Sequence, residues 1–297
     1  MRVIIAKEYA GWRLDKFLKE QYPDFSRSYI QKAIEAGQVL VNNKKITVHH
    51  FLKIGDEVEV KIEPPAELLV VSNQEVMIEV MAEEKDFLII NKSAGLVVHQ
   101  GEGHKEADTL ANGLLARYPE IGKVGDDPLR PGIVHRLDGD VSGVMVVART
   151  QDMFDHLKQQ FKTHQTEKEY LALVHGQVTP SEGVIEFALE KKGTKMVARP
   201  KGGEGKKAVT EYETVTIPES EGVKGKATLL KIRIHTGRTH QIRVHLFALG
   251  YPIVGDKLYG KTGEVSRLML HARKIVFEDL KGERREFIIE PPSEFRK

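Results

Sequence analysis

Gly132-Ile133-Val134-His135-Arg136-Leu137-Asp138-Gly139-Asp140-Val141-Ser142-Gly143-Val144-Met145-Val146-Val147-Ala148 sets a carboxylate between a strand-like run and a glycine turn. Gly132–Val134 leads in, and Gly143 opens a second, fully apolar strand, Val144–Ala148, so Asp138 falls near a bend and not on a solvated helix face. A single reactive group would sit at such a place. A second block, His235-Thr-Gly-Arg-Thr-His-Gln-Ile-Arg-Val-His245, supplies arginines able to pair with it.

Outward from this stretch, strand signals recur at Ile78–Val80, Phe87–Asn91, Tyr170–Val174, Val184–Phe187, Thr228–Ile234 and Phe287–Ile289. Two helical periodicities interrupt them. One runs from about Asp152 to Thr163 with Phe154, Leu157 and Phe161 on one face; the other runs from about His240 to Leu249, with Gly250 as its stop. The pattern predicts an α+β fold over residues 76–297, built on a mixed but mostly antiparallel sheet. Lys191 to Lys207 carries seven basic residues against one acidic and four glycines, which reads as a mobile loop.

Residues 11–63 form a separate, small α/β module in this reading. Leu14, Phe17 and Leu18 keep helical spacing, a second helix starts at Ser26 or Ser28, and Gly37 ends it. Val39 and Val41 alternate into the turn signal Asn42-Asn43, and Val58, Val60 and Ile62 alternate with charges. Pro64-Pro65 blocks helix and sheet alike, giving a linker over 64–75.

At 297 residues, 40% hydrophobic and 30% charged, the chain has the composition of a folded, two-part globular protein. No apolar run approaches the roughly 18 residues of a membrane helix, and the N-terminus lacks a signal peptide's apolar core, so a cytoplasmic protein is expected. The absence of cysteine removes disulfides, thiolate nucleophiles and cysteine-held zinc. Net charge of +2 leaves any nucleic-acid affinity to local patches.

Trp12-Arg-Leu-Asp-Lys-Phe-Leu18, Ser26-Arg-Ser28 and Val39-Leu-Val-Asn42 resemble the S4 RNA-binding fold in order and spacing. Seven basic and four acidic side chains lie between residues 11 and 45, whereas Asp56, Glu57, Glu59 and Glu63 gather at the module's end. Arg13, Lys16, Arg27, Lys32, Lys44 and Lys45 are the candidates for phosphate contacts, each releasing counterions on binding.

His135-Arg136-Leu137-Asp138 with Asp140, Ser142 and Gly143, the His235–His245 block and Glu167-Lys-Glu-Tyr170 together resemble the RluA-type pseudouridine synthases. Asn91-Lys92-Ser93-Ala94-Gly95 is similar to that family's Asn-Lys-Pro-Ala-Gly turn with serine for proline, and Val141 stands where a threonine is usual. The resemblance implies isomerisation of uridine to pseudouridine in structured RNA, without a cofactor or metal. It makes Asp138 the indispensable carboxylate, Arg243 its paired cation, Arg136 the side chain that fills the vacated base stack and Tyr170 the ring that stacks on the flipped uracil. The carboxylate must be ionised to attack, and removing it from water opposes that unless a cation stands beside it. Asp140 competes by charge and spacing; the resemblance favours Asp138.

Within the family the chain looks most like members acting on large-subunit ribosomal RNA, with transfer RNA as the alternative substrate. A monomer with RNA as its partner and no membrane association is the accompanying expectation. The alternative from another class is a noncatalytic RNA-binding or ribosome-assembly factor. A metal reading of His235, His240 and His245 fails on spacing, since five-residue steps turn successive residues away from a common centre. A kinase reading of His-Arg-Leu-Asp fails on residue order and on the missing glycine-rich loop.

Overall fold

In a computed structural model, which describes residues 2–296 except 24, 26, 63–69, 102, 103, 105, 194, 200–204, 216–226 and 261–264, the chain divides into two units, residues 1–68 and 69–297. The first holds β1 (Arg2–Ile4), α1 (Leu14–Gln21), α2 (Arg27–Glu35), β2 (Val39–Val41), β3 (Lys44–Lys45) and β4 (Glu57–Val60). Its sheet has the order β1-β4-β2-β3, so it also takes in residues ahead of position 11. Leu14, Phe17 and Leu18 of α1 and Ile30 and Ile34 of α2 are buried against Val39, Val41, Val58 and Val60. Asn42 and Asn43 both have positive φ, the backbone of a tight hairpin turn. Pro64-Pro65 and the first half of the expected linker, residues 64–69, lie outside the described residues.

The second unit is built on β5 (Glu79–Glu83), β6 (Phe87–Lys92), β7 (Ser142–Ala148), β8 (Glu167–His175), β9 (Glu182–Ile185), β10 (Ala188–Lys192), β11 (Lys195–Arg199), β12 (Thr210–Val215), β13 (Ala227–Ile234), β14 (Leu270–Glu278) and β15 (Arg284–Ile288). Its helices are α3 (Leu110–Arg117), α4 (Gln151–Lys162) and α5 (Gln241–Ala248). The main sheet runs β5-β6-β7-β14-β8-β13-β12-β9, with β15 also on β14. Among the described residues only β7 and β14 pair in parallel. The class is the expected α+β one. No helix among the described residues is long and apolar enough to cross a membrane.

Three of the differences from the sequence reading have a local cause. Ala188–Lys192 and Lys195–Arg199, which overlap the first half of the expected loop, pair as the hairpin β10–β11, because Leu189, Met196 and Ala198 pack with Val244 of α5 in a small cluster of their own. Helix α3 escaped its periodicity because it carries Asn112 and Gly113. Asn112 closes a capping box with Thr109, and Gly113 lies so close to Val76 that a β-carbon there would come within 2.8 Å of it. β14 also went unread, since His271, Arg273 and Lys274 interrupt its apolar run.

β7 is buried along its whole length, as a strand covered on both faces must be. Gly143 lets it approach β14. Its φ is +121°, and a β-carbon would sit 2.1 Å from the Ala272 carbonyl oxygen. Gly143→Ala is therefore expected to destabilise the protein by about 3 kcal/mol or more, through a left-handed backbone and a backbone clash together. Urea unfolding followed by circular dichroism measures it, and an unchanged midpoint would contradict this packing.

Candidate active site

The bridge between Ile133 and Val147 brings the chain off the sheet, and residues 134–138 run on without regular pairing. A turn then closes with the Val141 N–H donating to the Asp138 carbonyl at 3.0 Å. Leu137 packs into the core beneath the loop, and Arg136 and Asp138 line a cleft of about 550 Å³. That volume suits a nucleoside-sized group. Arg136 is exposed at the cleft, and Tyr170, His240 and Arg243 line it with Asp138. Asp140 is exposed and is not part of the cleft wall.

Arg243 sits in the first turn of α5, whose start is fixed by the buried Gln241 side chain bonded to Thr236, Val209 and Thr210. Its Nε and Nη2 donate to the two carboxylate oxygens of Asp256, each at 2.8 Å. Its Nη1 reaches Asp138 Oδ2 at 3.4 Å. The expected partnership with Asp138 is thus present but loose, and Asp256 is the tighter partner. Burial works against the Arg243 charge, yet Asp256 and then Asp138 hold the guanidinium above its ordinary range. Burial likewise works against the Asp256 carboxylate, and Arg243 with the Leu258 and Tyr259 N–H groups brings it below the usual range.

Tyr170 of β8 is buried, and burial first and the Asp138 charge second keep its hydroxyl protonated far beyond neutrality. Beneath the loop, Lys92 is 1% exposed and its Nζ donates to the carbonyls of Ser93, Leu96 and Gly139 at 2.7–2.9 Å. Burial pulls its ammonium down to about 7, and Asp138 and Asp140 oppose the pull. Three acceptors match the three donors of an ammonium; a neutral amine would leave one carbonyl facing a lone pair. The Asn91–Gly95 turn is therefore a support for the loop: Gly95 N–H also donates to the Gly139 carbonyl, at 2.9 Å.

His135 stacks on Phe161 with ring centroids 4.6 Å apart, and its Nε2 accepts the Val146 N–H. Burial, with the Lys168 charge second, pulls it down to about 3. His235, His240 and His245 point to separate partners: Glu211, the Tyr259 hydroxyl, and Thr210 with the Phe187 carbonyl.

The N-terminal cations belong to the first unit. Arg13 is held by Asp15 through two bonds of 3.0 Å, Lys16 lies 4.0 Å over the Trp12 ring, and Lys44 and Lys45 are exposed. The side chains of Arg27 and Lys32 lie outside the described residues. Sequence reasoning missed Asp256, His240 and Tyr259. Asp256 stands 13 residues past Arg243 with no periodic link to it, and the sharp turn at Gly255-Asp256 was its only signal.

Residues 86–248 match the family model described as RNA pseudouridylate synthase, and residues 12–58 match the S4 domain. An uncharacterised RNA pseudouridine synthase of Aquifex aeolicus is 38% identical over 96% of this chain and 92% of its own length. The ribosomal large subunit pseudouridine synthase D of Yersinia pestis is 38% identical over 86% of this chain and 75% of its own. The structure of human RNA pseudouridylate synthase domain containing 1 superposes with a TM-score of 0.60 at 26% identity, covering 78% of this chain and 87% of that one.

The lowered His135 fixes a sign. Its folded value of about 3 lies below the ordinary 6.5, so between those pH values the unfolded chain binds a proton that the folded one does not. Stability should therefore fall as pH drops from about 6.5 towards 3. His135→Gln, which keeps an acceptor for Val146 N–H, should show a shallower fall over that window in urea titrations at stepped pH; identical slopes for the two proteins would refute the assignment.

Proposed function

Because the chain belongs to the RNA pseudouridylate synthase family and carries an S4 domain, we propose that it isomerises particular uridines of large-subunit ribosomal RNA, using Asp138 as nucleophile or base. The chain is a pseudouridine synthase, an enzyme acting on RNA. The observation that carries the proposed chemistry is the Asp138 carboxylate in a nucleoside-sized cleft, 3.4 Å from the buried Arg243 and beside Tyr170. Support for the ribosomal substrate comes from the name of the Yersinia pestis relative, whose likeness spans most of both chains.

The reaction breaks the N1–C1′ bond, turns the base and joins C5 to C1′. The C5 proton leaves and N1 gains one, so atoms and electrons balance with no oxidant or co-reactant. Asp138 either bonds C1′ or adds to the pyrimidine, and both routes need it ionised. A stacked uridine is out of reach, so the base is extruded; Arg136, exposed at the cleft, fills the gap with its planar guanidinium while Tyr170 stacks on the uracil. The S4 unit adds phosphate contacts, with Lys44 and Lys45 exposed and Arg13 shared with Asp15. The protein acts in the cytoplasm as a monomer, with RNA as its partner.

Single-turnover pseudouridine formation on a ribosomal RNA transcript tests this. Asp138→Asn should eliminate product while fold and RNA affinity remain, since affinity rests mainly on phosphate contacts. Arg243→Ala should slow the reaction about a hundredfold, the scale of losing one preorganised donor. Asp140→Asn should be the milder of the two aspartate changes. An active Asp138→Asn enzyme, or an inactive Asp140→Asn enzyme that folds and binds, would overturn the assignment.

A further inference from the structure

A second side chain faces the Asp138 oxygen that Arg243 touches. His240 stands at the head of α5 in the left-handed region, φ 52° and ψ 22°, a conformation that residues with a β-carbon rarely hold and that clusters at working sites. Its Nε2 lies 3.9 Å from Asp138 Oδ2, and its Nδ1 lies 2.9 Å from the Tyr259 hydroxyl. That hydroxyl already accepts the Met196 N–H at 3.0 Å. Among the described residues it reaches no other acceptor, so its one proton goes to Nδ1.

We propose that His240 is a positioning residue for Asp138, locked by Tyr259 in the tautomer whose Nε2–H faces the carboxylate. The inference rests on the reading of Asp138 as the reacting group. The neutral ring it requires agrees with its surroundings. Burial disfavours the imidazolium, Arg243 and Arg136 disfavour it further, and Asp138 and Asp256 oppose them without reversing the direction.

Tyr259 is itself placed by Asp256, whose Oδ1 accepts the Tyr259 N–H at 3.0 Å and the Leu258 N–H at 2.9 Å while the same carboxylate holds Arg243. One carboxylate thus sets both donors that converge on Asp138 Oδ2. At 3.9 Å the His240 contact is longer than a hydrogen bond, and such contacts commonly shorten when substrate closes a site.

Two measurements test it on the full chain. Two-bond ¹H–¹⁵N correlation of the histidine rings should show His240 with its proton on Nε2, and Tyr259→Phe should abolish that preference. In single-turnover reactions His240→Leu and Tyr259→Phe should each slow the reaction roughly tenfold, the scale of one hydrogen bond, with RNA dissociation constants unchanged. Because they act through one proton, the double variant should be no slower than the worse single one. His240→Gln, which keeps an N–H near the Nε2 position, should recover most of the rate. A proton on Nδ1 in the parent protein, multiplicative losses, or a His240→Gln enzyme as slow as His240→Leu would each overturn the proposal. An active Asp138→Asn enzyme would remove the functional premise while leaving the tautomer result to be judged separately.

Discussion

Arg243 is a buried cation that must be answered by negative charge, and the fold answers it unequally. Asp256 takes two of its N–H groups in a forked pair, and Asp138 receives a third at longer range. The forked pair is neutral as a unit and holds the guanidinium plane, so Asp138 meets a donor it does not have to orient. Had Asp138 been the forked partner, its oxygens would be spent on structure. Asp256 takes that structural role, and both carboxylates depend on the short stretch of α5 that Gln241 anchors.

The loop bearing Asp138 is supported from below by groups with no part in the cleft wall. Lys92 and Gly95 both donate to the Gly139 carbonyl, one residue past the carboxylate. On the next strand Ser142 meets His271, whose Nε2 lies 3.0 Å from the Ile289 carbonyl and so must carry the proton. Nδ1 then accepts from the Ser142 hydroxyl, whose oxygen is left to accept from Arg267. Each bond fixes the direction of the next, and the result is a loop of irregular backbone with few ways to rearrange.

How much of this was legible depended on the kind of signal. Continuous apolar runs such as Val144–Ala148 and spaced faces such as Phe154, Leu157 and Phe161 announce themselves, because burial acts on the residues that form them. The family resemblance nominates Asp138, Arg243 and Tyr170, and all three line one cleft. What escaped owes its place to distant partners. β14 hides behind His271 and Arg273, which are satisfied by Ser142 and Glu169 far away in sequence; Asp256 matters only through Arg243. The cationic stretch from Lys191 reads as loop because local charge outweighs the few apolar residues that hold its hairpin to α5.

The position of β14 has a consequence for synthesis. It lies between β7 and β8, so the strand that follows Asp138 and the strand that carries Tyr170 become neighbours only through residues 270–278. While the chain emerges from the ribosome, both strands wait with an open edge until that segment follows them. Assembly of the cleft therefore waits for residues 270–278, and a chain interrupted before them would present two unpaired, apolar strand edges in place of a working site.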